Sequence, residues 1–296
     1  MKFNPALLYL IIAATIWGAT VPIMKITLRE IPLFSLATIR MGLSSILLLP
    51  FVYKNLKIDR DDIPQMILLA LLGTNLNLGF FFYGVEHSPA INSSVITATS
   101  PVFTLFLAHI YLREKLSPKL LAGALVALLG TFVIVGIPIL KLDIKTSLGS
   151  LALLASTLSW VSYDITSKKT LKKYPPLTIT FFTMAIGALL FIPAATSDLI
   201  NSPAWFEHLS PTGFFGLLYG IIFASFTGYS FWQKGLAKTT VGQASFAFYL
   251  LPVSGIIFSY LLLGEKFTLL SIIGASIVLL GVILGEYHRK SHTHNQ

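Results

Sequence analysis

The sequence predicts an all-α integral membrane protein, with ten transmembrane helices arranged as two inverted five-helix repeats. Three observations predict it. First, 55% of the 296 residues are hydrophobic and only 11% are charged. A soluble domain carries about 25% charged residues, so lipid must be the main solvent of this surface. Second, the apolar runs are about 20 residues long, enough to cross a hydrocarbon core of roughly 30 Å. Third, the back half of the chain repeats landmarks of the front half at fixed offsets.

The predicted spans are 5–25, 33–53, 63–83, 92–112, 118–138, 147–168, 177–195, 212–235, 241–263 and 268–287, with Pro, Gly or charge at most ends. The first run, Pro5 to Met24, is too long for a signal-peptide core and more spans follow it. It reads as a span, not a cleaved leader. Trp17, Thr20 and Met24 share one of its faces. Span 2 carries Arg40 about eight residues in, roughly 10–12 Å deep. An intramembrane charge is a functional candidate by default. Arg40 either holds a substrate carboxylate or phosphate, snorkels outward, or braces a backbone carbonyl. Span 3 has Asn75 and Asn77, which point about 200° apart; Asn77 is the one assigned to the interior.

Span 4 carries Ser93, Thr97 and Thr104 and contains Pro101, which removes a helix hydrogen bond and kinks the span. Span 9 contains Pro252 in the same way. Each kink is either static or a hinge. Span 4 ends on Glu114-Lys115 and span 9 on Glu265-Lys266, which read as solvated caps or ion pairs that set a turn. Glycines in spans 5, 8 and 10, such as Gly123, Gly130, Gly216, Gly220, Gly274 and Gly281, let helices approach closely.

Span 6 presents Ser156, Trp160 and Tyr163 on one face, and Asp164 near its inner end. Lys168 lies one turn beyond Asp164, so one reading of this acid is an i,i+4 ion pair. The other is a counter-ion for a cationic substrate, or a proton-coupling site. Span 8 repeats the stripe with Ser225, Tyr229 and Trp232, and span 9 has Ser245 and Tyr249. Such polar-aromatic stripes suit a cavity that holds an apolar or cationic solute. Trp and Tyr also girdle membrane interfaces, which is the alternative; Trp205, in the 196–211 connection, reads that way. The candidate substrate-binding set is therefore Trp17, Thr20, Arg40, Asn77, Thr97, Trp160, Tyr163, Asp164, Tyr229, Trp232 and Tyr249.

Lys and Arg set the orientation. With the N-terminus inside, Lys2, Lys54, Lys57, Arg60, Arg113, Lys115, Lys119, Lys168, Lys169, Lys172, Lys173, Lys234, Lys238, Arg289 and Lys290 are internal. Lys25, Arg29, Lys141, Lys145 and Lys266 are external. Fifteen against five places both termini in the cytoplasm and accounts for the basic charge of the chain without nucleic acid, since no basic stretch sits on a soluble fold.

An offset of 151 places Gly84 on Gly235, Pro101 on Pro252, Glu114 on Glu265, Gly123 on Gly274 and Gly130 on Gly281. An offset of 143 places Trp17 on Trp160, Lys25 on Lys168, Pro32 on Pro175, Met41 on Met184 and Pro50 on Pro193. Residues 1–140 and 141–296 are then two copies of one unit. Five spans is an odd number, so the second copy enters from the opposite side and the repeat is inverted. Inverted repeats build midplane sites that open to either side.

The stretches ATIWGATVPIMK, SPVFTLFLAHIYLREKLSPKLLAGALVALLGTFVI and LPVSGIIFSYLLLGEKFTLLSIIGASIVLLGVIL resemble the EamA-type members of the drug/metabolite transporter superfamily. The resemblance covers nearly the whole chain. It implies alternating access and a central cavity lined by spans 1, 3, 4, 6, 8 and 9, for substrates such as amino acids, sugars or amines. Span 1 has no carboxylate, unlike the small multidrug relatives, so the resemblance does not carry their proton coupling to this chain.

Other functions fit less well. An intramembrane enzyme needs buried His, paired acids or a metal cluster, and the one His within a predicted span, His109, has no second group to serve it. His288, His292 and His294 read as a solvated tail rather than a metal site. With no Cys there is no disulfide or thiolate chemistry, and no phosphate-binding glycine loop points to a nucleotide or any other cofactor. The expectation is a multi-pass inner-membrane transporter and functional monomer that exports amino acids or related metabolites. The alternative is a carrier of organic amines or drug-like cations, with or without proton coupling.

Overall fold

The computed structural model describes residues 5–88, 96–135, 144–263 and 269–292. Among them the chain forms ten successive helical spans. Span 1 is Pro5–Thr27, span 2 Leu33–Val52, span 4 Ile96–Leu112, span 5 Pro118–Val135, span 6 Ile144–Thr170, span 7 Pro176–Asn201 and span 10 Leu269–His292. Span 3 joins Ile63–Ala70, a π-helical piece Leu71–Leu76, and Asn77–His87. Span 8 has the same plan: Pro211–Tyr219, a π-helical Gly220–Thr227, then Gly228–Ala237. Span 9 joins Val241–Ser245, a 3₁₀ piece Phe246–Tyr249, and Leu250–Leu263. Among the described residues five helices, in spans 1, 2, 3, 7 and 8, are long and apolar enough to cross a membrane by length and composition alone. Apolar side chains such as Ile46, Leu189, Phe215 and Leu261 are more than 60% exposed, which suits acyl chains and not water.

The two proline kinks of the sequence are realised as breaks in helix type. In span 9 the 3₁₀ turn Phe246–Tyr249 lies just before Pro252, whose ring would clash with the carbonyl four residues earlier. In span 4, Val102 and Phe103 N–H share the Thr99 carbonyl, at 3.0 and 3.3 Å, beside Pro101. Span 7 runs six residues beyond its predicted end. The extension brings Asp198 Oδ2 within 2.8 Å of Ser35 N–H, so a polar residue that looked like loop caps span 2 instead. Span 10 begins at Leu269. Ser93, Lys2, Lys141, Glu265, Lys266 and His294 lie outside the described residues.

The packing obeys the sequence offsets. Spans 2 and 7 pack on each other, as do spans 5 and 10; span 3 packs on span 6, and span 8 on span 1; span 4 packs on span 6, and span 9 on span 1. Exchanging each span with the one five places on leaves this pattern unchanged. The correspondence reaches individual atoms. A Cβ on Gly84 would come within 2.5 Å of Leu153 Cγ and 2.9 Å of the Gly149 carbonyl. A Cβ on Gly235 would come within 2.6 Å of Leu10 Cγ and 3.2 Å of the Ala6 carbonyl. Leu10 and Leu153, and Ala6 and Gly149, are the pairs that the 143 offset superimposes. Spans 5 and 10 meet through Gly130 against Val278 and Gly274, and through Gly281 against Ala127 and Gly123.

These glycines hold helices together because only a hydrogen fits between them; small residues allow the backbones to approach. A Cβ on Gly130 would lie 2.5 Å from the Val278 amide nitrogen, a contact with backbone that no side-chain rotation relieves. Gly130→Val is expected to destabilise the folded protein by roughly 1–3 kcal/mol. It should lower the thermal midpoint in detergent, while Leu129→Val, a change on the 60% exposed outer face, should leave it unmoved.

Candidate functional site

Six aromatic rings from spans 1, 6, 8 and 9 meet in the centre. Trp17 and Trp160 pack edge to face with centroids 5.0 Å apart. Tyr229 lies 5.7 Å from Trp17 and 5.4 Å from Trp160. Trp232 lies 5.4 Å from Trp17 and 4.7 Å from Phe248, and Tyr163 lies 5.1 Å from Trp160. Of the predicted site residues, the structure thus brings Trp17, Trp160, Tyr163, Tyr229 and Trp232 together. All but Trp17 are at least nine-tenths buried inside the bundle.

The two π-helical pieces explain how the rings are held. A π turn bonds i to i+5 and frees a carbonyl from the regular ladder. In span 3 the Gly73 carbonyl accepts from the Tyr229 hydroxyl at 2.8 Å. In span 8 the Ala224 carbonyl accepts from Trp17 Nε1 at 2.9 Å. Gly73 and Ala224 coincide at the 151 offset. Gly73 is required in another way: a Cβ there would come within 2.5 Å of the Tyr163 ring.

Asp164 is 1% exposed and accepts from Trp232 Nε1 at 2.7 Å. The expected ion pair with Lys168 is not formed. Lys168 Nζ instead donates to the carbonyls of Leu236 at 2.8 Å and Thr239 at 2.5 Å, at the C-terminal end of span 8. That end carries unsatisfied carbonyls and a partial negative charge, which compete for the ammonium. Glu114 also departs from expectation. It is half-buried and not paired with Lys115, and accepts from the Val241 and Gly242 amides at 2.8 and 3.1 Å. It caps span 9, across the repeat boundary, from a turn that Arg113 closes in a left-handed conformation, φ 55°. The 8–9 turn is therefore gripped by a cation on its carbonyls and an anion on its amides. On the same face Lys173 bonds Asp62 and, at 2.7 Å, Asp59. The two carboxylates hold its ammonium pKa above the ordinary lysine value.

Arg40 is 2% exposed. Its guanidinium reaches Ser225 Oγ at 3.2 Å and Met24 Sδ at 3.5 Å and lies 5.5 Å from the Phe82 ring centroid. Its Nε has no hydrogen-bond partner. It does not snorkel. Among the described residues no carboxylate pairs with it, nor a cation with Asp164.

The remaining candidates are placed elsewhere. Asn77 Nδ2 donates to the Ser156 carbonyl and Oγ, at 3.1 and 3.0 Å, and so ties span 3 to span 6. Tyr249 donates to the Ala124 carbonyl at 2.6 Å and packs with span 5, apart from the rings. Thr20 bonds the Ile16 carbonyl of its own helix, and Thr97 is half-buried in the first described turn of span 4. Trp205 is half-buried and packs against the core. Two central residues were not singled out from the sequence. Phe248 is one. Gln233, fully buried, donates from Nε2 to the Tyr163 hydroxyl at 2.7 Å and to Ser167 Oγ at 3.1 Å. An amide inside an apolar span was the signal that pointed to Gln233.

A model described as the EamA-like transporter family matches residues 4–136 and again 147–285. A protein of Archaeoglobus fulgidus named only as a transporter is 26% identical over 275 residues, 93% of this chain and 96% of that one. A protein of Streptantibioticus cattleyicolor, named a probable terminal-alkyne amino-acid exporter, is 24% identical over 290 residues, 96% of this chain and 94% of that one. A crystal structure at 17% identity superimposes with a TM-score of 0.79 over 97% of this chain and 98% of its own. It shares the fold.

The grip on the 8–9 turn has a measurable consequence. The natural chain has no Cys, so one introduced thiol reports local accessibility. In a Gln243→Cys background, Glu114→Gln is expected to weaken the charged bonds to span 9 by roughly 1–2 kcal/mol. Maleimide labelling should then rise several-fold over the parent.

Proposed function

The chain belongs to the EamA-like transporter family, and from that premise we propose that it exports small carboxylate-bearing metabolites, amino acids among them, by alternating access. Arg40 carries this reading. A guanidinium stays charged in a protein and presents five donors in a fork that matches a carboxylate. In the interior of a membrane protein an unpaired charge is costly and is retained where it has work. Arg40 spends two contacts on weak or neutral acceptors, Met24 Sδ and Ser225 Oγ, and leaves Nε without one. A substrate carboxylate would supply the missing charge and acceptors. One relative is named an exporter of an amino acid, which agrees with this class of cargo.

Residues 1–140 and 141–296 act as the two inverted halves, and the rings between them as the barrier that each half uncovers in turn. The lysine and arginine asymmetry supports cytoplasmic termini and an inner-membrane location. The Glu114, Lys168 and Lys173 ties would then close the cytoplasmic face. One chain contains both halves and so works as a monomer. A second reading, transport of organic amines, is favoured by one observation: Asp164 has no cationic partner among the described residues.

In proteoliposomes loaded with unlabelled amino acid, counterflow of the labelled compound is expected. Arg40→Gln should reduce it by at least about tenfold, the scale of one lost charged hydrogen-bond pair. Counterflow of amines alone, indifferent to Arg40→Gln, would transfer the assignment to the second reading.

A further inference from the structure

Spans 2 and 7 exchange places under the repeat, so the contact between the end of one and the start of the other occurs twice. At the start of span 2, the Asp198 carboxylate accepts from Ser35 N–H at 2.8 Å. An offset of 143 places Ser35 on Thr178, near the start of span 7, and Asn55 on Asp198. The equivalent cap on Thr178 N–H would therefore come from Asn55. Thr178 N–H bonds the Pro175 carbonyl instead, at 3.1 Å, and shares it with Ile179 N–H at 3.2 Å. Asn55 and Thr178 line one cavity of about 270 Å³, together with Phe51, Val52, Leu177 and Lys234.

Three features of this cavity call for an anion. Lys234 is half-buried, 5.9 and 5.7 Å from the Tyr9 and Phe231 ring centroids, and among the described residues no carboxylate pairs with it. Thr178 is fully buried and its hydroxyl has no hydrogen-bond partner. The start of span 7 adds the positive end of a helix dipole. The 151 offset pairs Lys234 with Tyr83. The repeat thus sets Asp198 and Tyr83 against Asn55 and Lys234: one contact carries its own acid, and the other carries a lysine and no acid. The surroundings indicate what brings the anion. Lys54 and Lys57 lie next to Asn55 in the chain, and Lys172 and Lys173 just before Pro175, so this end of the bundle is basic. Phe51 is 62% exposed, which suits acyl chains. We propose that the cavity binds an anionic phospholipid, with its phosphate at Lys234 and the start of span 7, and its chains outside along Phe51. The volume is below the roughly 300–1,000 Å³ of sites that enclose a whole small molecule, so only the headgroup end enters. Basic pockets between membrane helices bind lipid headgroups through this chemistry. The phosphate does for span 7 what Asp198 does for span 2.

The test is a thermal-unfolding titration of the purified full-length protein in neutral detergent. The probes are dioctanoyl phosphatidylglycerol, dioctanoyl phosphatidylcholine, which has the same chains and no net charge, and inorganic phosphate. A ligand of the native state raises the midpoint by mass action. Phosphatidylglycerol is expected to do so at a concentration at least about tenfold lower than either other probe. Lys234→Gln should weaken that response about tenfold. Lys57→Gln, which removes an exposed lysine outside the cavity, should keep it. Asn55→Asp builds in the acid that the other contact has, so it should raise the lipid-free midpoint and abolish the response. Equal responses to the two lipids would overturn the proposal, and so would a response that survives both Lys234→Gln and Asn55→Asp. A full response to phosphate alone would assign the cavity to a soluble anion and overturn the lipid reading. The comparison of probes on the natural protein decides the matter even if a variant does not fold. Arg40 takes no part in these outcomes, so the proposed function stands or falls separately.

Discussion

In hydrocarbon a backbone polar group has no water to turn to, so every departure from regular helix must be satisfied inside the protein. This constraint organises the centre of the molecule. Spans 3 and 8 each widen into a π turn at equivalent positions, and each turn releases a carbonyl, Gly73 or Ala224. Tyr229 answers one and Trp17 the other. Because those donors come from aromatic side chains, satisfying the backbone also fixes two of the six central rings. The remaining rings pack around them. The site and the irregular backbone are one construction, and neither half of the chain builds it alone.

The charges follow the same logic of competition for partners. Lys168 has two possible partners, a carboxylate one turn away and the open carbonyls at the end of span 8. It takes the carbonyls of Leu236 and Thr239 at that end. Glu114 takes the free amides of span 9. Together they hold the 8–9 turn from both sides. The consequence is felt deeper in the membrane, where Asp164 is left with an indole for a partner. The held turn and an acid without a cationic partner among the described residues are thus linked through one lysine side chain.

Much of the architecture was legible in advance. The offset of 151 paired Gly84 with Gly235 and Gly130 with Gly281, and the two members of each pair make equivalent close contacts. The ring cluster was legible as stripes spaced three to four residues apart on spans 1, 6 and 8. Asn77, Tyr249 and Thr20 make hydrogen bonds away from those rings. A stripe tells which residues share a face but not which neighbour that face meets. Asn77 meets span 6, and Tyr249 meets span 5. Phe248 was missed because it belongs to the 3₁₀ turn before Pro252, where the helical spacing used to read the stripes does not hold.

By itself the sequence determined that this chain lives in lipid, crosses it repeatedly, is built twice from one unit and belongs to a family of transporters. Those properties depend on composition, run length and self-similarity, which are additive along the chain. Only the tertiary structure decided the partners: Lys168 on carbonyls and not on Asp164, Glu114 across the repeat boundary, Arg40 facing Ser225 and the Phe82 ring with no acid beside it among the described residues. Partner choice is a competition among all groups within a few ångströms. Residues that lie far apart in the sequence enter that competition only once the helices have packed.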